Sequence, residues 1–310
     1  MNFVSSVPAE QNDKLAVPDF SKWKIATIER IEHTLQNLLP AELSEEPQPL
    51  HQAMRYAALS GGKRIRALLV HAAGKLNQAP IDSLDAAACA LEMMHAYSLV
   101  HDDLPCMDDD DLRRGKPTVH RVFGDALAVL AGDALQTQAF ICLSTMSCDT
   151  RRRVQLINEL ACASGSLGMA GGQALDLKNT GLVLARVELE QMHQMKTGAL
   201  IRAAVRMGLI CGSGLPVDLL DDYAMAIGLA FQVVDDILDT QNQNEALGKT
   251  PGKDAKQNKP TYVSMLGIEV ANQLVRELFE RAQNVLNQIP AQYDSSYLRQ
   301  LAQLIVLRTS

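Results

Sequence analysis

The sequence predicts an all-α fold, a single large helical bundle. Apolar residues recur at helical spacing along nearly the whole chain, and strand-like alternation of β-branched residues is hard to find. The composition is rich in Ala, Leu, Met, Gln and charged residues, with aromatics at only 4% and one Trp. With 47% hydrophobic and 21% charged residues, a chain of 310 residues can bury a sizeable core.

Residues 1–20, polar and Pro-containing, read as a flexible arm ahead of one domain over 21–310. From Trp23 to Leu39 the positions Ile25, Ile28, Ile31, Leu35, Leu38 and Leu39 mark one helical face, and Pro40 ends it. Further helices are expected at 46–59, 63–76, 82–103, 118–146, 150–165, 184–210, 217–241, 259–288 and 293–307. Loops are expected around Gly61-Gly62, Pro80, Gly115-Lys116-Pro117, Gly171-Gly172, Gly212 to Pro216 and Pro251-Gly252. Ala86 to Val100 and Tyr223 to Val234 are apolar nearly all round, which places them at the centre.

The formal charge of -7 excludes a generally basic nucleic-acid surface. Six cysteines (Cys89, Cys106, Cys142, Cys148, Cys162, Cys211) without a CxxC pair read as reduced core residues. No targeting pattern is evident, and acids, Lys or Gln interrupt every apolar run before the roughly 18 residues of a spanning helix. The expectation is a soluble, cytoplasmic protein without a membrane span.

The unusual chemistry lies where central helices meet two acidic clusters. Asp102 and Asp103 precede Pro105, so they belong to a last helical turn, where the dipole disfavours them by roughly 0.3–1 kcal/mol each unless a cation is present. Asp108 to Asp111 follow. Asp235 and Asp239 lie one turn apart with Asp236 between them and Gln232 on the same side, again ending an apolar helix. Carboxylates beside apolar sequence must be paired, protonated or metal-bound. Oxygen donors without His or Cys partners favour Mg²⁺, which takes few carboxylates and leaves positions for water and phosphate. An EF-hand is excluded, because the pattern from Asp108 puts Leu112 at a ligand position and Arg113 where Gly belongs.

The cations fall in short groups. Gly61-Gly62-Lys63-Arg64-Ile65-Arg66 joins a glycine pair to a helix start, an anion-binding arrangement in which Lys63 and Arg66 face the same way. Arg113-Arg114-Gly115-Lys116 follows the first acid cluster directly. Such proximity suits a polyphosphate.

These residues resemble the trans-isoprenyl diphosphate synthases, most closely the bacterial farnesyl diphosphate synthases. The blocks that match in order are Gly61 to Arg66, His95 to Gly115, Gly132-Asp133, Gly172 to Asp176, Lys196-Thr197-Gly198, Phe231-Gln232 with Asp235 to Asp239, and Gly248-Lys249 with Lys259. The resemblance implies a helical bundle around a deep central cavity. It implies that Asp102, Asp103, Asp108, Asp235, Asp236 and Asp239 hold Mg²⁺, three ions with the allylic diphosphate bound. Arg113, Lys196, Lys249 and Lys259 would neutralise that diphosphate, and Thr197 and Gln232, with Lys196, would serve the catalytic step. Lys63, Arg66, His95 and Arg114 would form a metal-free pocket for isopentenyl diphosphate. The implied reaction joins dimethylallyl or geranyl diphosphate to isopentenyl diphosphate head to tail, in a homodimer that binds no nucleic acid.

Tyr97 and Ser98, five and four positions before Asp102, are the expected chain-length residues. An aromatic there resembles the enzymes that stop at C15, the farnesyl product; a geranylgeranyl (C20) synthase is the alternative. His101-Asp102 alone would also fit an all-α His-Asp metallophosphohydrolase. That reading leaves the second acid cluster and the Lys63/Arg66 pair unexplained. A terpene cyclase needs no isopentenyl pocket, and a helical scaffold needs neither acids nor cations on both walls.

Overall fold

The computed structural model describes residues 19–41, 46–182, 184–245 and 261–308. The helices are α1 (Phe20–Leu38), α2 (Gln48–Ala58), α3 (Ile65–Leu76), α4 (Ile81–Asp102), α5 (Val119–Phe123), α6 (Asp125–Thr145) and α7 (Thr150–Ser164). They continue with α8 (Met169–Asn179), α9 (Arg186–His193), α10 (Ala199–Cys211), α11 (Asp221–Glu245), α12 (Tyr262–Leu266), α13 (Ile268–Asn287) and α14 (Ser296–Val306). One all-α bundle results, as the periodicity predicts. Of the arm expected over 1–20, residues 1–18 lie outside the described residues, and Phe20 already begins α1.

At the centre, α10 packs on α3, α4 and α11, and α3 on α4, while α6 covers α4, α7 covers α10, and α13 and α14 cover α11. The central helices are buried on nearly every face: Ala87 to Leu91 and Tyr223 are each 0% exposed. The buried apolar residues form one contiguous cluster. Among the cysteines, Cys89, Cys142 and Cys211 are buried, whereas Cys106 and Cys162 are exposed, so only half belong to the core.

Several expectations are corrected. The helix expected over 118–146 breaks at Gly124, whose φ of +85° no helix accommodates, and that over 259–288 breaks at Gly267, φ +79°. The helix expected over 184–210 contains a π turn, Gln194–Gly198, between α9 and α10. The loop expected around Gly171-Gly172 is instead the helix α8. Glycine disfavours a helix by propensity, but at Gly172 a Cβ would lie 2.1 Å from the backbone nitrogen of Lys196. Close packing of α8 on the π turn requires the glycine and overrides its propensity.

Two short strands also form, β1 (Leu112–Arg113) and β2 (Lys116–Pro117), paired antiparallel with Arg113 opposite Lys116. Finally, α6 is long and apolar enough, by length and composition, to cross a membrane, contrary to the reading of interrupted runs. Its inner side packs on α4, α2 and α7 as part of the bundle core.

Candidate active site

Asp102 is the last residue of α4 and Asp103 its cap. Asp235 and Asp236 sit inside α11, which runs on to Glu245, so the second acidic set does not end its helix as expected. No helix breaker stands between Asp239 and Glu245, only Thr, Gln and Asn. The first set borders a cavity of about 350 Å³ whose wall includes Arg66, His95, Tyr97, Ser98, His101, Asp102, Met107, Gln173, Lys196 and Thr197, and Gln232 of α11, bonded to both Thr197 and Asp236, links the second set to that wall.

On the first wall, burial pushes the Asp102 carboxyl up to about 6, against the pull of Lys196. Asp103 is buried and held by Arg113, with Nε at 2.8 and 2.9 Å from its two oxygens and Nη2 at 2.6 Å. This bidentate fork occupies both oxygens of Asp103. The turn after α4 folds back so that the Asp108 amide donates to the Asp102 carbonyl at 2.9 Å, bringing Asp108 beside Asp102.

The hairpin between the strands sorts the two neighbouring arginines. Arg114 and Gly115 both have positive φ, +54° and +74°, as a tight two-residue hairpin turn requires. Arg113, on the strand, therefore reaches Asp103, while Arg114, in the turn, donates to the Gly61 carbonyl. At Gly62 a Cβ would lie 2.6 Å from the Arg114 guanidinium, so glycine lets that group settle there.

The predicted helix start at 63 falls at Ile65, with Arg64 as its cap in the left-handed region. Arg64 is buried against Glu32, Glu92 and the Ala58 carbonyl, which fixes the loop. Lys63 and Arg66 project towards the second wall, where both charges favour ionised Asp235. The Nε of Arg66 is buried with no hydrogen-bond partner among the described residues. Burial, and then the charges of Arg66, Arg114, Arg113 and Arg64, keep the His95 imidazole well below its ordinary pKa, hence neutral. A neutral ring donor among arginines is an arrangement suited to an anion.

On the second wall, Asp236 accepts the Tyr262 amide at 2.7 Å and the Gln232 amide at 3.2 Å, and burial pushes it up to about 7. Thr197 donates to Gln232 Oε1 at 3.2 Å. The line Thr197 to Gln232 to Asp236 thus spends the hydroxyl proton and leaves oxygen lone pairs towards the cavity. Asp235 is paired with Arg308, Nη2 to Oδ1 at 2.7 Å. Asp239 is exposed on the same helix. Lys249 and Lys259 lie outside the described residues.

The donor chemistry fits Mg²⁺. Both walls offer carboxylate oxygens, and the raised Asp102 and Asp236 lack enough positive charge from the protein alone. Among the described residues no three His, Cys, Asp or Glu converge on one metal-sized point.

Three contributors escaped the sequence reading. Asp176, inside the matched Gly172 to Asp176 block, holds Lys196 Nζ at 2.6 Å. Gln173 brings a side-chain oxygen and nitrogen, both buried and without a hydrogen-bond partner among the described residues, to the cavity wall. Arg308 stacks on Phe231 at 3.8 Å to the ring centroid besides pairing with Asp235. A lone Arg near the C-terminus gave no signal.

A model of the polyprenyl synthetase family matches residues 47–295. The chain is 48% identical over 299 residues to the farnesyl diphosphate synthase of Escherichia coli, covering 94% of this chain and 99% of that protein. It is 46% identical over 269 residues to the chloroplastic geranylgeranyl pyrophosphate synthase of Capsicum annuum, covering 85% and 73%. A solved apo structure of an FPP/GFPP synthase from Zymomonas mobilis superposes with a TM-score of 0.83 at 39% identity, covering 93% of this chain and 99% of that one.

Proposed function

The chain belongs to the polyprenyl synthetase family, and from that premise we infer that it is a prenyltransferase making farnesyl diphosphate. It condenses dimethylallyl and then geranyl diphosphate with isopentenyl diphosphate, head to tail. One observation supports the reading: a single cavity wall joins Asp102 and Lys196, which suit a metal-bound diphosphate, to Arg66 and neutral His95, which with the nearby charge of Arg114 suit a metal-free one.

Asp102 and Asp108 on one wall and Asp235 and Asp239 on the other are the residues to hold Mg²⁺, with Asp103 and Asp236 behind them orienting Arg113 and Gln232. Three Mg²⁺ ions held there would supply positive charge against the departing diphosphate. Lys196, steadied by Asp176, and Arg113 serve the same oxygens. The allylic C–O bond breaks and its electron pair leaves with the diphosphate. The lone pairs of Thr197 and Gln232 face the resulting allylic cation without attacking it. Meanwhile Lys63, Arg66, His95 and Arg114 hold isopentenyl diphosphate so that its double bond meets C1. The new C–C bond forms from that π pair, and a proton passes to the released diphosphate. The closed bundle keeps water from capturing the cation.

Tyr97 and Ser98 line the same cavity, and Tyr97 is the floor that stops growth at C15. Incubation with both C5 diphosphates and Mg²⁺, followed by identification of the dephosphorylated products, tests the assignment. Farnesol is expected. No product beyond C5 would overturn the synthase reading, and mainly C20 would overturn the floor.

The protein acts as a cytoplasmic homodimer. The outer face of α6 supports the dimer, with Leu130 and Ile141 at 51% and 46% exposure along one stripe and Val129 at 41% beside it. Light scattering at micromolar concentration checks it, and a monomer would contradict it.

A further inference from the structure

The hairpin that carries Arg113 and Arg114 is too small to hold its own position. Its strands β1 and β2 have two residues each and pair at Leu112 with Pro117 and at Arg113 with Lys116. A two-stranded hairpin is at best marginally stable alone. Its base is closed by Thr118, whose hydroxyl donates to the Asp110 carbonyl at 2.7 Å and whose amide donates to the Asp111 carbonyl at 3.0 Å. Those bonds set its shape but not its tilt against the bundle. Packing leaves the tilt open as well, because a gap of about 40 Å³ lies between hairpin and bundle, walled by Tyr56, Ser60, Asp103, Arg113 and Arg114.

Each strand has a separate anchor. β1 is anchored by Arg113 on the buried Asp103 carboxylate. β2 is anchored by Tyr56 of α2, whose hydroxyl donates to the Pro117 carbonyl at 2.7 Å. Tyr56 is itself well placed. Its ring meets Phe123 of α5 edge-on, with centroids 5.6 Å apart and planes at 70°, and the adjacent Arg55 ties α2 to α1 through the Gln36 carbonyl at 2.9 Å. Between the strands, Arg114 joins the hairpin to the loop before α3 through the Gly61 carbonyl. A diphosphate bound at Arg114 competes for that guanidinium, so this third tie weakens when substrate arrives.

We propose that Tyr56 is a positioning residue for isopentenyl diphosphate: by holding the Pro117 carbonyl, its hydroxyl keeps Arg114 beside the Gly61–Arg66 loop once the guanidinium turns to the substrate. This rests on Arg114 being a contact of that diphosphate. Arg113 does not depend on Tyr56, because the fork to Asp103 holds it on the other strand. The two substrates are therefore affected unequally.

Steady-state kinetics with each substrate varied in turn, alongside thermal melting, provides the test. Tyr56→Phe keeps the ring that meets Phe123 but removes the donor. KM for isopentenyl diphosphate is expected to rise about fivefold, as loss of one hydrogen bond would cause, while kcat and KM for geranyl diphosphate stay near native. Arg114→Gln should raise the same KM further. In that background Tyr56→Phe should add nothing, because it acts through Arg114. A merely structural tyrosine would instead lower the melting temperature and kcat without separating the two KM values, and that result would overturn the proposal. If Arg114→Gln raises KM for isopentenyl diphosphate while Tyr56→Phe leaves it native, the anchor is wrong and the pocket stands. If Arg114→Gln leaves that KM native, the pocket assignment fails and the role of Tyr56 fails with it.

Discussion

Replacing Gly172 with Ala puts the contact between α8 and the π turn to a quantitative test. The added Cβ would lie 2.1 Å from the Lys196 nitrogen, 2.5 Å from its Cα and 2.7 Å from the Met195 carbonyl carbon, where ordinary contact begins at 3.4 Å. The shortfall is about 1.3 Å, and every atom in the way is backbone, so no rotamer change relieves it. Either α8 moves outward or the π turn deforms. Both stretch the 2.6 Å bond from Asp176 to Lys196, because that bond spans the same contact. Overpacking of this kind costs about 1–3 kcal/mol of stability. Misplacing Lys196 and Thr197 by about 1 Å costs about 10²-fold in turnover. Thermal melting by circular dichroism, with steady-state kcat for geranyl diphosphate, separates the two effects. The expected variant is folded, melts a few degrees lower and turns over about a hundredfold more slowly. Gly198→Ala in the same turn is the control, since its Cβ would meet only ordinary contacts at 3.7 Å. Native kcat in Gly172→Ala would refute the claim that this close approach positions Lys196 for turnover.

Asp235→Asn removes a carboxylate from the second wall and should lower kcat about 10²-fold or more while the melting curve changes little; near-normal turnover would contradict its metal role. Arg308→Gln takes away the cation paired with Asp235, so titration calorimetry without substrate should show tighter Mg²⁺ binding; unchanged affinity would show that the guanidinium does not compete. Burial holds the His193 imidazole down to about 4, below the roughly 6.5 of the unfolded chain, so the unfolded state binds the proton first and this group lowers stability as pH falls from about 6.5 to about 4. His193→Asn should therefore gain stability relative to the native protein over that window, by at most about 1.4 kcal/mol per pH unit. Urea midpoints at pH 7 and pH 5 with a constant difference between the two proteins would refute it.

The helical period located most of the bundle, because a residue buried on one face leaves the same mark wherever its helix packs. It failed at α8 and the π turn for one reason. Gly171-Gly172 is a loop by propensity, and only the backbone of Lys196, 24 positions later, makes it a helix interior. The breaks at Gly124 and Gly267 were equally silent, as a lone glycine does not reveal whether its φ will be positive.

For the site, the sequence by itself determined the inventory: acids at two central helices, a glycine-linked basic pair, adjacent arginines after the first acids, and an aromatic ahead of Asp102. Those are properties of residue type and spacing, and they persist in any fold that buries the helices. Tertiary structure decided what each group does with its charge. It sent Arg113 to Asp103 and Arg114 to the Gly61 loop through a two-residue turn, buried Arg64 between two glutamates, kept His95 neutral within four arginines, and brought Arg308 onto Asp235. Electrostatic partnership depends on distance and desolvation between residues far apart in the chain, which local spacing does not encode.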